Sequence, residues 1–288
     1  MAVYKRTYRA YEGPLTPERT RFLVLTRYAW NYLFRSRFMT GFFIVCFFPA
    51  LIMALGLYLN HSDSLMRLLR LPTGRALIQD VSSYLRVFMQ IQWGFAMVLT
   101  AFAGPTLISP DLVNNALPLY FCRPFSRVEY VLGKFCVIAW LISLITWVPG
   151  LTLFGIEASQ AGASWMWDHL WLANAIFTSS IIMVLVLSFI GLALSALVRW
   201  KPVAGALVLA VFFLGAGFGA AINAILRTTT GYYLDIGHMM STIGATLFRI
   251  EGYEAGVSLT GAALQLAAVC ALCLIMLNRK IRAFEVVR

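Results

Sequence analysis

Charge is scarce in this sequence. Of 288 residues, 23 are Lys or Arg and 12 are Asp or Glu, so only 12% carry charge beside 60% hydrophobic residues. A soluble globular chain averages about 25% charged residues, and one with half as many has too few groups to cover its surface in water. A soluble domain is excluded. So are a disordered chain, a coiled coil and a collagen-like rod, each of which needs a polar or repetitive composition. Cysteine is sparse too: there are five, an odd number that implies no disulfide framework. Cys46, Cys136, Cys270 and Cys273 fall inside apolar runs and read as small buried hydrophobes. No carboxylate pair, Ser/His/Asp set or His-rich helix stands out, so no catalytic residue and no metal ligand is assigned. His169 and His238 do lie near Met166, Met239 and Met240, a mixture that suits a soft metal such as copper, but lipid-facing loop residues explain the same letters and are the preferred reading.

What the chain has instead is long apolar runs. Crossing a hydrocarbon core of about 30 Å takes roughly 20 helical residues, and six stretches free of Asp, Glu, Lys and Arg meet that length: residues 38–60, 87–110, 135–156, 170–198, 202–226 and 255–278. The first is too long for a signal-peptide core and has no small-residue cleavage pattern after it, so it reads as retained. The expected fold is an all-α membrane protein in three parts: a cytoplasmic N-terminal segment (1–37), a six-span transmembrane domain (38–278) and a cytoplasmic tail (279–288).

The net charge of +11 suggests nucleic acid only if the cations cluster on one exposed face. They lie between the apolar runs instead. With the N-terminus inside, 17 Lys and Arg fall on the inner side, in residues 1–37, 111–134, 199–201 and 279–288, against six on the outer side. Basic loops resist translocation, so both termini are expected in the cytoplasm, and the basic excess needs no nucleic-acid partner.

Two inner segments carry further signals. Thr16-Pro17-Glu18 has a cap, a proline and an acid in the order that starts a helix. After it, Phe22, Leu25, Ala29, Tyr32 and Leu33 share one helical face, which Leu23, Trp30 and Phe34 widen, and Arg21, Arg27 and Arg35 lie opposite. This pattern predicts an interfacial elbow helix with its arginines at lipid phosphates. The second segment, residues 109–134, repeats the start signal in Ser109-Pro110-Asp111. Val113, Ala116, Leu117 and Tyr120 at i, i+3, i+4 and i+7 then predict a short helix with an apolar stripe, kept short by Pro118 and Pro124. Such a helix outside the membrane needs a lipid interface or a groove on another protein to bury its stripe.

The run that follows, Arg123-Pro124-Phe125-Ser126-Arg127-Val128-Glu129-Tyr130-Val131-Leu132-Gly133-Lys134, resembles the membrane subunits of ABC transporters of the type-2 exporter class. Those subunits have six spans, an N-terminal interfacial helix and, between spans two and three, a short acidic helix followed by a similar Arg-Pro-x-Ser-Arg-x-x-Tyr-x-x-Gly-Lys run. The resemblance covers nearly the whole chain. One departure is that the family commonly has Gly-Thr-Leu where this chain has Asn115-Ala116-Leu117. The resemblance implies that residues 110–120 form a coupling helix seated in a cytoplasmic ATPase subunit, with polar contacts from Asp111, Asn114 and Asn115 while Val113 and Leu117 fill the cleft. It also implies ATP and Mg on that partner chain and a second permease subunit, identical or related. Arg123, Arg127 and Lys134 are expected at headgroups, with Glu129 beside either arginine. The short inner loop Arg199-Trp200-Lys201-Pro202 is expected to make a minor contact.

The chain has no nucleotide site of its own. Gly133-Lys134 is followed by Phe135 and has Val128 where a phosphate loop requires glycine, so the cradle of backbone donors cannot form. Gly215-x-x-x-Gly219 reads as a close helix approach. The outer connection 227–254 is apolar enough to predict short helices dipping into the outer leaflet, and Leu65, Arg67, Leu68, Leu69, Arg70 and Leu71 predict another at outer headgroups. Charge-free spans favour an apolar or amphiphilic cargo. The expected function is the permease of an ATP-driven exporter in a bacterial inner membrane. The alternatives are an intramembrane lipid-modifying enzyme, which would keep ionisable residues within its spans, and an ATP-independent channel or scaffold.

Overall fold

The structure, a computed structural model, describes residues 17, 20–62, 78, 80–122, 126–253 and 256–281. Thr16, Glu18, the leucine- and arginine-bearing stretch 65–71, Arg123 and Pro124 lie outside them. Among the described residues every regular element is a helix: α1 Arg21–Leu33, α2 Arg37–Val45, α3 Phe48–Asn60, α4 Val81–Ala103, α5 Ser109–Val113, α6 Leu117–Phe121, α7 Arg127–Ile145, α8 Trp147–Ala161, α9 Ala163–Asp168, α10 Leu170–Leu197, α11 Lys201–Leu226, α12 Ile236–Leu247 and α13 Leu259–Lys280, with short 3-10 turns at Gly104–Thr106 and Thr230–Leu234.

These elements join into six helices long and apolar enough to cross a membrane: Arg37–Asn60, Val81–Val113, Arg127–Ala161, Leu170–Leu197, Lys201–Leu226 and Leu259–Lys280. Three of them are interrupted: span two passes through the 3-10 turn Gly104–Thr106, which contains Pro105, and the breaks in spans one and three share one cause. Proline lacks an N–H, and its ring crowds the carbonyl four residues back. Pro49 stands four residues after Val45, where α2 ends, and Pro149 stands four after Ile145, where α7 ends with Thr146 as its cap (φ −105°, ψ −88°).

Helix ends correct the sequence reading in a way that matters. Span two starts at Val81, because Asp80 caps it by accepting from the Ser82 and Ser83 amides at 2.9 and 3.1 Å. Span three starts at Arg127 and runs to Ala161. The expectation of spans without ionisable residues therefore fails: these helices carry Arg86, Lys134 and Glu157 into the bundle. Glu157 is buried against His61 from the end of span one, at 3.6 Å. The apolar run marks where lipid is tolerated, whereas the helix continues for as long as its backbone bonds and packing hold.

Span four is the centre of the bundle. Its most apolar stretch is 72% buried, against 17% for spans one, five and six, which leaves those three with broad apolar outer faces. Spans two and four cross closely at Gly104 and Gly191, where a Cβ on Gly104 would meet the Gly191 backbone at 3.2 Å. The glycines of span five do permit a close approach, but of a different element. Carbonyls of Gly231 and Leu234, in the 3-10 turn Thr230–Leu234, occupy the space beside Gly219 and Gly215. The Asn223 side-chain oxygen accepts from the Gly231 amide at 2.7 Å. Helix α12, capped by Asp235, then buries Ile236, Met239, Met240 and Ile243.

Candidate functional site

The segment between spans two and three is built outward from a buried serine. Ser195, near the end of span four, accepts from the Ile108 and Ser109 amides at 3.2 and 3.1 Å, and its carbonyl accepts from the Ser109 hydroxyl at 2.8 Å. Both serines are fully buried. This clamp fixes where α5 leaves the bundle. Pro110 and Asp111 occupy its first turn as the sequence predicts.

The predicted single striped helix is divided in two. The Ala116 amide donates to the Asp111 carbonyl at 2.8 Å and the Asn115 amide to the Leu112 carbonyl at 3.4 Å, with Asn115 at φ +48°. This is a Schellman ending with a left-handed residue at its hinge. Asparagine is among the few residues other than glycine that enter this region at modest cost. The chain restarts as α6 at Leu117. The stripe is split accordingly: Leu117 is 5% exposed in the chain's own core, Ala116 and Tyr120 are half-buried, and Val113 at 52% and Leu119 at 70% face outward with Asn114 and Asn115.

Asp111 turns inward. Its Oδ2 accepts from the Tyr130 hydroxyl at 2.6 Å and meets Lys134 Nζ at 2.9 Å. Tyr120 and Phe121 of α6 close over the Tyr130 ring at centroid distances of 5.5 and 6.1 Å, and the Lys134 ammonium lies 5.5 Å from that ring. Burial, with the nearby Asp111 charge, pushes the Tyr120 hydroxyl above the ordinary tyrosine range. Lys134 is thus a buried partner of Asp111 rather than a headgroup cation. A half-buried carboxylate needs a counter-charge more than a lipid phosphate does.

Glu129 is likewise reassigned. It forms a capping box with Ser126, accepting from the Ser126 amide at 2.6 Å while the Ser126 hydroxyl accepts from the Glu129 amide at 3.2 Å. It starts α7, and Arg127 is exposed.

The N-terminal helix α1 lies against this same stretch. The Thr26 hydroxyl donates to the Gly133 carbonyl at 2.8 Å, and a Cβ on Gly133 would stand 2.8 Å from the Phe22 carbonyl. Thr26 and Leu33 are buried, Phe22, Leu25, Ala29 and Trp30 half-buried, and Arg27 and Arg35 exposed. Tyr32 and Leu23, expected on the apolar face, sit at its exposed margins. Lys201, the first residue of span five, donates to the Tyr32 hydroxyl at 3.1 Å.

Asp111, Tyr130, Gly133 and Lys134 therefore converge, with α1 alongside, whereas Val113, Asn114, Asn115 and Leu119 remain outward. Sequence reasoning missed two residues. Thr26 had a signal, a lone hydroxyl in the middle of an apolar face; Ser195 had none. The cluster presents no nucleophile and base pair, and among the described residues no group of three His, Cys, Asp or Glu could hold a metal ion. What the arrangement does show is one small unit bonded to spans two, three and four. No protein-family model matches this chain, and no curated protein matches it.

Proposed function

We propose that this chain is the permease subunit of an ABC transporter of the type-2 exporter class, driven by separate cytoplasmic ATPase subunits that carry the ATP and Mg. The observation that carries the reading is the α5–α6 unit. It exposes Val113, Asn114, Asn115 and Leu119 and is tied at its base to Ser195 of span four and Lys134 of span three. A push on its outer face is delivered to three spans at once, whereas a flexible loop would absorb it. ATPase domains closing on nucleotide need such a stiff lever.

In this reading the unit and both termini face the cytoplasm of a bacterial inner membrane, as the distribution of Lys and Arg suggests. Helix α1 lies along the interface with Arg27 and Arg35 toward phosphates, and α12 caps the outer end. The apolar outer faces of spans one and five, with Phe213 at 66% and Phe218 at 62% exposure, offer surface for a second permease subunit and for lipid. The translocation path runs between the two subunits.

Purification from native membranes tests this. A stoichiometric ATPase carrying a phosphate-loop motif is expected, and the paired substitution Val113→Asp and Leu119→Asp should release it while the permease stays inserted. Recovery of the chain alone with transport intact, or chemical labelling of a cysteine at Asn114 from the outer side only, overturns the reading.

A further inference from the structure

A cavity of about 250 Å³ lies within this single chain, between span two, span four and α12. Its wall is largely thioether and aromatic: Met89 and Trp93 from span two, Met183 from span four, Met240 and Phe248 from α12 and the residue after it. One cation enters it. Arg86 lines the cavity, and among the described residues its buried Nε has no hydrogen-bond partner. Among the described residues the guanidinium makes no ion pair; it lies over the Tyr253 ring at 4.6 Å, whose hydroxyl is engaged with Ser241 at 2.9 Å. Arg86 as a whole is half-buried near the start of span two, but its Nε is cut off from solvent, and a polar N–H so placed is costly without a partner. A buried N–H with no acceptor calls for an explanation outside the protein's own bonds.

The two features specify one ligand chemistry. The guanidinium selects a carboxylate or phosphate, which it grips through several parallel N–H bonds. The methionine-rich wall selects flexible hydrocarbon, because unbranched thioether side chains adapt to irregular apolar shapes. The volume is at the small end for a ligand pocket and fits a headgroup with the first part of a chain better than a whole diacyl lipid. Arg86 stands six residues into α4, and Met183 stands 14 residues into α10. The slot therefore begins near one end of the bundle and extends toward its middle, as a chain hanging from an anchored head requires.

We infer that this intrachain cavity binds an anionic amphiphile, its head on Arg86 and its hydrocarbon against Met89, Met183, Met240 and Phe248. The inference rests on the cavity alone and holds whether or not the chain is driven by an ATPase.

Quenching of Trp93 by brominated ligands tests it in the purified full-length protein in non-ionic detergent, the Trp93→Phe protein supplying the background. A brominated long-chain fatty acid is expected to quench saturably, and the brominated alcohol of equal length at least tenfold more weakly. Arg86→Gln should erase that difference by weakening the acid about tenfold and leaving the alcohol unchanged. Should Arg86→Gln fold poorly, Gly244→Leu provides a second arm. Gly244 lines the cavity, and a Cβ there meets nothing within 4 Å, so a side chain at this position leaves the backbone unhindered; the leucine takes up slot volume and should abolish saturable quenching by the acid. Equal, non-saturating quenching by acid and alcohol would mark ordinary lipid contact and overturn the inference. Displacement of the fatty acid by inorganic phosphate or acetate at matching concentration would also overturn it, because a small anion would then suffice.

Discussion

Lys134 and Asp111 meet at 2.9 Å with their side chains only 7% and 16% exposed. Charges so far out of water gain little from each other net of desolvation, but removing one strands the other at a cost of about 3–5 kcal/mol. Lys134→Met should therefore lower stability by roughly that amount, and Asp111→Asn by somewhat less because the Tyr130 hydroxyl keeps an acceptor. The double variant should recover a large part of the loss, as coupled residues depart from additivity. Thermal unfolding of the four proteins in one detergent measures the coupling; strictly additive losses would mean that the two charges act independently.

The six spans were legible because hydrophobic run length is a one-dimensional property, and all six fall within a few residues of their expected positions except where a polar cap moves the end. Asp80 and the Ser126–Glu129 box lengthened spans two and three beyond their apolar runs. Asp111 and the residues Tyr130, Gly133 and Lys134 were each singled out in the sequence, but as two separate segments, and their pairing was not legible. Whether Lys134 faces a phosphate or a carboxylate depends on how α5 folds back, and that turns on the left-handed Asn115. Ser195 was out of reach, since a serine in an apolar helix looks the same whether it bonds its own backbone or clamps a loop 86 residues away in sequence.

At Asn115 the backbone, not the side chain, is under constraint. With φ at +48°, a β-branched residue there costs about 1–2 kcal/mol, whereas glycine enters freely. Asn115→Gly is expected to leave stability within about 0.5 kcal/mol, and Asn115→Val to open the turn between α5 and α6. Limited proteolysis of intact protein, with cleavage mapped to residues 113–118, reads the difference. Equal resistance of the two variants would argue against a left-handed hinge.

Gly133 holds α1 by having no side chain. The Phe22 carbonyl would lie 2.8 Å from a Cβ at Gly133, and backbone in a helix cannot yield as a side chain does. Gly133→Ala favours α7 by helix propensity, about 1 kcal/mol, yet should displace α1. Thr26→Val removes only the hydroxyl that donates to Gly133, with an expected loss of about 1 kcal/mol. Cysteines placed at the exposed Arg27 and Val128 with a spin label on each report the separation of the two helices; an unchanged distance in Gly133→Ala would count against the contact.

Asp80 gives the start of span two a dependence on pH with a definite sign. Partial burial pushes its carboxyl up, but the Ser83 hydroxyl and the amides of Ser82 and Ser83 together outweigh this and hold it below the usual aspartate range. A carboxyl whose folded pKa is depressed adds stability that is fully present above its unfolded value of about 3.9 and is lost as pH falls through the lower folded value. The group is exposed, so solvent screens most of the charge contribution, and the cap itself sets the scale. Asp80→Ala is expected to cost about 1 kcal/mol at neutral pH, shrinking as the solution is acidified below the ordinary aspartate pKa. Asp80→Asn keeps a capping oxygen without a titrating proton, so its stability should stay near wild type at neutral pH. Unfolding midpoints of the three proteins across that range, compared pairwise so that every other titration cancels, measure the effect. A constant gap between wild type and Asp80→Ala at all pH values would mean that the carboxylate charge contributes nothing to the cap.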